Sequence, residues 1–132
     1  MNTEMKKILI LAAVAMMLVS AGKKDDTVIT KENGATVVNT TTLTKDVQGY
    51  AGPVPVKVYI KKNKVEKVEV LPNQEGPKYM SKVKKQLLEA WNGLTVKEAK
   101  TKEVDAVTGA TFTSNAMIEN VRKGLEYYQK NK

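Results

Sequence analysis

The sequence predicts an α+β fold: an antiparallel β-sheet packed with two main helices, in a single small domain that follows a signal segment. Three observations carry that expectation. Val56, Val58 and Ile60 alternate with Lys57, Tyr59 and Lys61, and a second strand over residues 65–71, with Val68 and Val70 pointing inward, follows a short polar connection, which is the pattern of a half-buried β-hairpin. Two later stretches carry apolar residues at helical spacing, Met80, Val83, Leu87 and Trp91 in one and Met117, Val121, Leu125 and Tyr128 in the other. The chain has 132 residues, the length of one domain around one core.

Taken in order, residues 1–21 read as an export signal. Lys6 and Lys7 precede an apolar run over residues 8–19, and Ser20, Ala21 and Gly22 supply small residues after it. The run is shorter than the roughly 20 apolar residues that a membrane-spanning helix needs. Val19-Ser20-Ala21 suits cleavage after Ala21 and would suit a bacterial lipoprotein signal if a cysteine followed, but Gly22 stands in that place. Residues 22–48 read as a polar tether and edge strands: Gly22-Lys23-Lys24-Asp25-Asp26 has no apolar periodicity, and residues 27–44 are rich in Val and Thr around a turn at Asn33-Gly34.

Residues 49–130 hold the main domain. Gly49-Tyr50-Ala51-Gly52-Pro53 is a turn-rich entry to the hairpin, Pro55 falls near a strand start where its missing N–H is tolerated, and Asn63 suits a positive φ in the turn. Residues 72–77 form a loop. Pro77 then opens a helix that Gly93 closes, with Trp91 as a core anchor on its apolar stripe. A short extended piece is expected over residues 94–104 and a second helix over residues 114–128.

The composition excludes whole classes of chemistry. With no cysteine and no histidine, the chain can build no disulfide framework, no thiolate or imidazole metal site and no Ser-His-Asp triad. Redox or transfer chemistry must come from an organic cofactor or from carboxylates, hydroxyls and lysines. Lys plus Arg total 22 against 14 Asp plus Glu, a net charge of +8. Arg122 is the single arginine, whereas nucleic-acid readers favour Arg for bidentate contacts, so no nucleic-acid partner is expected. Lysines concentrate between Lys57 and Lys102, which suits an anionic membrane or an acidic partner.

The junction before the last helix is the most informative stretch. It reads Val104-Asp105-Ala106-Val107-Thr108-Gly109-Ala110-Thr111-Phe112-Thr113-Ser114-Asn115, small and hydroxyl residues leading into a helix. A helix N-terminus carries about half a positive charge and free N–H groups, so it favours an anion such as a phosphate. Gly109 and Ala110 lack bulk and allow close approach, while Thr113, Ser114 or Asn115 can supply the cap.

Asp105-Ala106-Val107-Thr108-Gly109-Ala110-Thr111 resembles the signature of the bacterial FMN-binding domain family: Asp, two variable residues, Ser or Thr, Gly, Ala, Thr. That family includes the C subunit of sodium-translocating NADH:quinone reductase and small exported flavoproteins. Gly49-Tyr50, the hairpin, the turn Gln74-Glu75-Gly76-Pro77 and the helix start at Ser114 are also similar to the family, although Gly76 stands where family members commonly carry Thr.

The resemblance implies covalent FMN, joined through its phosphate to the Thr111 hydroxyl by a separate flavin transferase that uses FAD. It further implies that Asp105, Thr108, Gly109 and Ala110 form the transferase recognition sequence and the phosphate cradle, with Thr113 and Ser114 at the helix start completing the cofactor-binding set. The expected function is an exported, extracytoplasmic electron carrier near a membrane. It would pass electrons between redox partner proteins or quinones and turn over no substrate of its own. Two alternatives use the same sequence differently: a non-covalent module for a phosphorylated ligand at the helix N-terminus after Thr113, and a structural or adhesion lipoprotein that binds no chromophore.

Overall fold

Four strands come first and three helices follow across residues 28–132, the part of the chain that the computed structural model describes. The export-signal reading of residues 1–21 and the start of the tether lie outside them. Strands β1 (Ile29–Glu32) and β2 (Ala35–Asn39) form one hairpin and β3 (Val56–Lys61) and β4 (Lys64–Val70) a second. Because β2 also pairs with β3, the sheet runs β1-β2-β3-β4 with every neighbour antiparallel. Both hairpins turn through residues of positive φ, with Asn33 at 51° in the first and Lys62 at 53° and Asn63 at 63° in the second, the sense of turn whose twist matches paired strands.

Alternation along β3, and a register shift that brings Val65 and Val68 of β4 to the same side, decide what meets the helices. Val38, Val56, Val58, Ile60, Val65 and Val68 enter one core cluster with Met80, Val83, Leu87 and Trp91 and with Met117, Val121 and Leu125. Each fully buried aliphatic side chain there stabilises the fold by about 1.5–3 kcal/mol. Val37 and Tyr59 face each other in the ladder and are buried outside that cluster, with the Lys67 ammonium 4.5 Å from the Tyr59 ring centroid. Burial, and then the carboxylates of Glu69 and Glu32, push the Tyr59 hydroxyl above its ordinary pKa.

Helix α1 (Pro77–Leu87) begins on proline as expected but stops earlier than the apolar stripe suggested. Beyond Leu87 the chain descends through successive turns, in which the N–H groups of Ala90, Asn92 and Leu94 donate to the carbonyls of Leu87, Glu89 and Trp91. Trp91 is therefore a core residue, 1% exposed, presented by a turn.

The extended piece expected over residues 94–104 is replaced by helix α2 (Val96–Thr101). Thr95 and Glu98 close a capping box: the Thr95 hydroxyl accepts from the Glu98 N–H at 3.1 Å and the Glu98 carboxylate accepts from the Thr95 N–H at 3.0 Å. What remains extended is the stretch just before it, where Val65 and Leu94 bond through their backbones and Lys64 bridges to Thr95.

The bonds from Thr95 hold the Glu98 carboxyl below its ordinary value of 4.5. A group whose pKa is depressed by folding adds stability above its unfolded value and loses it as pH falls through the folded one. Acid titration of stability is therefore expected to steepen below about pH 4.5. Glu98→Gln should flatten that limb in pH-dependent thermal unfolding.

Helix α3 (Thr111–Asn131) is the longest element and lies across β2 and β3, with α1 and α2 packed beside it. Its seat is fixed by a buried polar cluster. Fully buried Asn120 accepts through Oδ1 from the Thr40 hydroxyl at 2.6 Å and from the Thr44 hydroxyl, and it donates through Nδ2 to the Ala116 carbonyl at 2.8 Å. The Thr40 Oγ1 accepts from the Val56 N–H at 2.9 Å. One asparagine thus ties the helix to the end of β2 and the start of β3.

Candidate functional site

The signature residues form a turn that delivers the chain into α3. The Ala110 N–H donates to the Val107 carbonyl at 2.9 Å, and Gly109 takes a φ of +83° in the third place of that turn, where a side chain would be strained. Ser114 anchors the turn from below, since its buried hydroxyl accepts from the Val107 N–H at 3.0 Å and donates to the Ala110 carbonyl at 2.7 Å. Val107 and Ala110 are buried while Thr108 and Gly109 at the tip are exposed.

Helix α3 starts at Thr111, three residues before the expected Ser114, and its N-cap is Ala110. None of the three expected capping side chains caps it. The physical reason is that the hydroxyls are committed elsewhere: Ser114 to the turn, and Thr113 to the carboxylate of Glu75. The first turn carries no acidic residue and no side-chain cap, so the positive end of the helix is open to an external anion. Thr111, at the first helical position, is exposed.

A pocket of about 290 Å³ opens beside it, lined by Gly109, Ala110, Thr111, Phe112 and Thr113 with Tyr50 and Tyr79. Tyr50, Phe112 and Tyr79 are 77%, 65% and 44% exposed. They are the exposed large hydrophobic residues among those described, and all three line this one pocket. Exposed apolar surface concentrated at one place marks a binding site. The Tyr50 and Phe112 ring centroids lie 6.5 Å apart with the planes inclined by 37°. Gly76 leaves room for the third ring, because a Cβ there would meet Tyr79 Cδ2 at 3.1 Å.

Of the residues singled out in the sequence, the structure brings Gly109, Ala110, Thr111 and Thr113 to the pocket wall, while Asp105, Thr108 and Ser114 lie outside the lining. Tyr79 was missed. It sits off the apolar stripe of α1, and the signal that could have found it is an aromatic side chain in the first turn of a helix that opens on Gly76-Pro77. Among the described residues no cluster of three or more acidic side chains is placed to hold a metal. No helix among them is long and apolar enough to cross a membrane.

The donor set suits a ligand with two unlike ends. The open first turn of α3 can hold an anionic group beside the Thr111 hydroxyl, and the aromatic faces can hold a flat ring system. A family model described as the FMN-binding domain matches residues 49–126, which runs from the turn that presents Tyr50 into the second half of α3. No curated protein matches the chain.

Proposed function

Since the chain belongs to the FMN-binding domain family, we propose that it carries its FMN covalently, through a phosphoester on the Thr111 hydroxyl, and serves as an exported electron carrier. The observation that carries this reading is the convergence in one pocket of an exposed Thr111, an uncapped helix start and three exposed aromatic rings. A phosphate at Thr111 would meet the first-turn N–H groups of α3 without a competing side-chain cap. Tyr50, Phe112 and Tyr79 would shield the ring, and the exposed tip at Thr108 and Gly109 would give a flavin transferase access to the hydroxyl. The flavin, when bound, supplies the redox chemistry.

The apolar segment over residues 8–19 behind Lys6 and Lys7 supports export and work outside the cytoplasm, close to a membrane. A carrier in that place benefits from a cofactor that cannot dissociate. Electron donors and acceptors would be redox proteins or quinones, with the lysines between Lys57 and Lys102 available to an acidic partner or an anionic surface. The pocket lining offers hydroxyls and aromatic faces, and the Glu75 carboxylate that bonds Thr113 behind it is already taken up by three donors. That arrangement supports a carrier without substrate turnover.

The test is co-expression with a flavin transferase, followed by flavin fluorescence of the band in a denaturing gel. A fluorescent band is expected. Flavin present in the native protein but lost on denaturation would favour the non-covalent module, and a chain that binds no flavin in either state would overturn the proposal.

A further inference from the structure

We propose that Glu75 is a positioning residue: it latches the turn bearing Tyr50 onto the first turn of α3 and so sets the Tyr50 ring against Phe112 across the pocket. Its consequence for the cofactor rests on the FMN reading above, whereas the latch itself does not.

Glu75 is a buried carboxylate, 6% exposed, and among the described residues no lysine or arginine pairs with it. It is satisfied instead by three donors from two separate parts of the chain. Its Oε1 accepts from the Tyr50 N–H at 2.8 Å and from the Thr113 hydroxyl, and its Oε2 accepts from the Ala51 N–H at 2.5 Å. Successive N–H groups of a turn converging on one anion form a nest, and here the anion comes from the protein. The turn is closed on its other side by the Gly49 N–H donating to the Gly52 carbonyl at 2.6 Å.

The carboxylate is itself aimed. The Glu75 N–H donates to Asn73 Oδ1 at 3.0 Å, and Asn73 Nδ2 donates to the Leu71 carbonyl at 2.9 Å. Gly49 is part of the same device, because a Cβ at that position would stand 2.4 Å from Glu75 Oε1. The absence of a side chain at Gly49 is what admits the carboxylate.

Glu75 does not line the pocket, but it fixes two segments that do. Thr113 belongs to the helix turn that begins with Thr111 and Phe112, and Tyr50 extends from the latched turn toward Phe112. Without the latch, the turn that bears Tyr50 would lose both bonds from its N–H groups to Glu75 and keep its own closure between Gly49 and Gly52. A ring so exposed would then sample many rotamers rather than one wall of the pocket.

Two variants open the latch from opposite sides. Glu75→Ala removes the carboxylate, and Gly49→Ala keeps it but displaces it. Amide hydrogen exchange on the full chain is expected to show the Tyr50 and Ala51 N–H groups exchanging about tenfold faster or more in both. Val58 amide protection should stay at the wild-type level, and Glu75→Gln, which keeps one acceptor oxygen, should fall between. In flavin-loaded protein the same variants should raise folded-state flavin fluorescence toward the denatured value, because stacking on tyrosine quenches it.

Unchanged Tyr50 and Ala51 exchange in both alanine variants would overturn the latch. So would an acceleration equally large at Val58 in Gly49→Ala and Glu75→Gln, which would make Glu75 a contributor to global stability instead. A wild-type chain that takes up no flavin would sink the FMN reading while the exchange measurement still decides the latch.

Discussion

Thr111→Val is expected to abolish flavin retention through denaturation while leaving the fold intact. Valine matches threonine in shape and branching and lacks only the hydroxyl that the proposed phosphoester requires. Thr111 is exposed at the first position of α3, where no intramolecular hydrogen bond depends on its side chain among those of the described residues. An exposed substitution of this kind changes stability by no more than about 0.5 kcal/mol. Loss of flavin with an unchanged melting temperature therefore isolates the hydroxyl. Thr113→Val, two residues along, makes a useful contrast, because it breaks the bond to Glu75 and leaves the Thr111 hydroxyl in place. Denaturation-resistant flavin should persist in that variant.

Asn120→Ala should have the largest effect on stability. The asparagine is fully buried and its amide joins Thr40, Thr44 and Ala116. Truncation leaves the buried Thr40 hydroxyl without its acceptor, at a cost of about 1–3 kcal/mol, and the vacated volume adds to it. A loss of about 3 kcal/mol is expected, seen as a fall in melting temperature on the order of 10–20 °C for a domain of this size. A fall of only a degree or two would show that the cluster does not fix the helix on the sheet. Because Asn120 lies more than two turns along α3 from Thr111, the residual folded protein should still accept flavin.

Both hairpins were legible in the sequence because short-range rules suffice for them, although β2, expected at an edge, lies between β1 and β3, a pairing that only the long-range packing fixes. Period-two alternation of Val56, Val58 and Ile60 set the core face of β3, whereas in β4 a register shift opposite Tyr59 and Ile60 puts Val65 and Val68, three residues apart, into one core; asparagine in each turn accommodates the positive φ that a two-residue hairpin needs. Helix boundaries were harder, and each miss has a tertiary cause. Thr113 and Ser114 read as caps because hydroxyls before an apolar run usually are, yet neither accepts from a first-turn N–H: Thr113 donates to the Glu75 carboxylate and Ser114 to the Ala110 carbonyl. The start of α3 was therefore placed three residues late. Trp91 continued the stripe of α1 in sequence, but it reaches the core from a turn. Helix α2 was hidden in a charged stretch, although its Thr95 and Glu98 spell a capping box.

The candidate site divides in the same way. The turn from Val107 to Thr111 is contiguous, so its small and hydroxyl residues could be read as an anion site from the sequence, with Thr111 singled out by the resemblance to the family. The wall opposite is assembled from Tyr50 and Tyr79, which are brought to Phe112 only by the packing of the fold. Glu75 stands out in the sequence only as part of a family-like turn, and neither its bonds to Tyr50, Ala51 and Thr113 nor the buried role of Asn120 can be read there, since a lone carboxylate or amide looks like surface until its distant partners are known. Gly76 is a departure that the structure accounts for: the space a side chain would take there lies against the Tyr79 ring.

On the proposed reading one residue, Thr111, holds the cofactor through a phosphoester bond. Intact-mass measurement of the chain after co-expression with a flavin transferase, with peptide mapping of any adduct, tests this. A single FMN added per chain is expected, on the peptide that contains Thr111, and none on the Thr111→Val variant. An unmodified mass from protein that is yellow when folded, or an adduct mapped to any other residue, would contradict it.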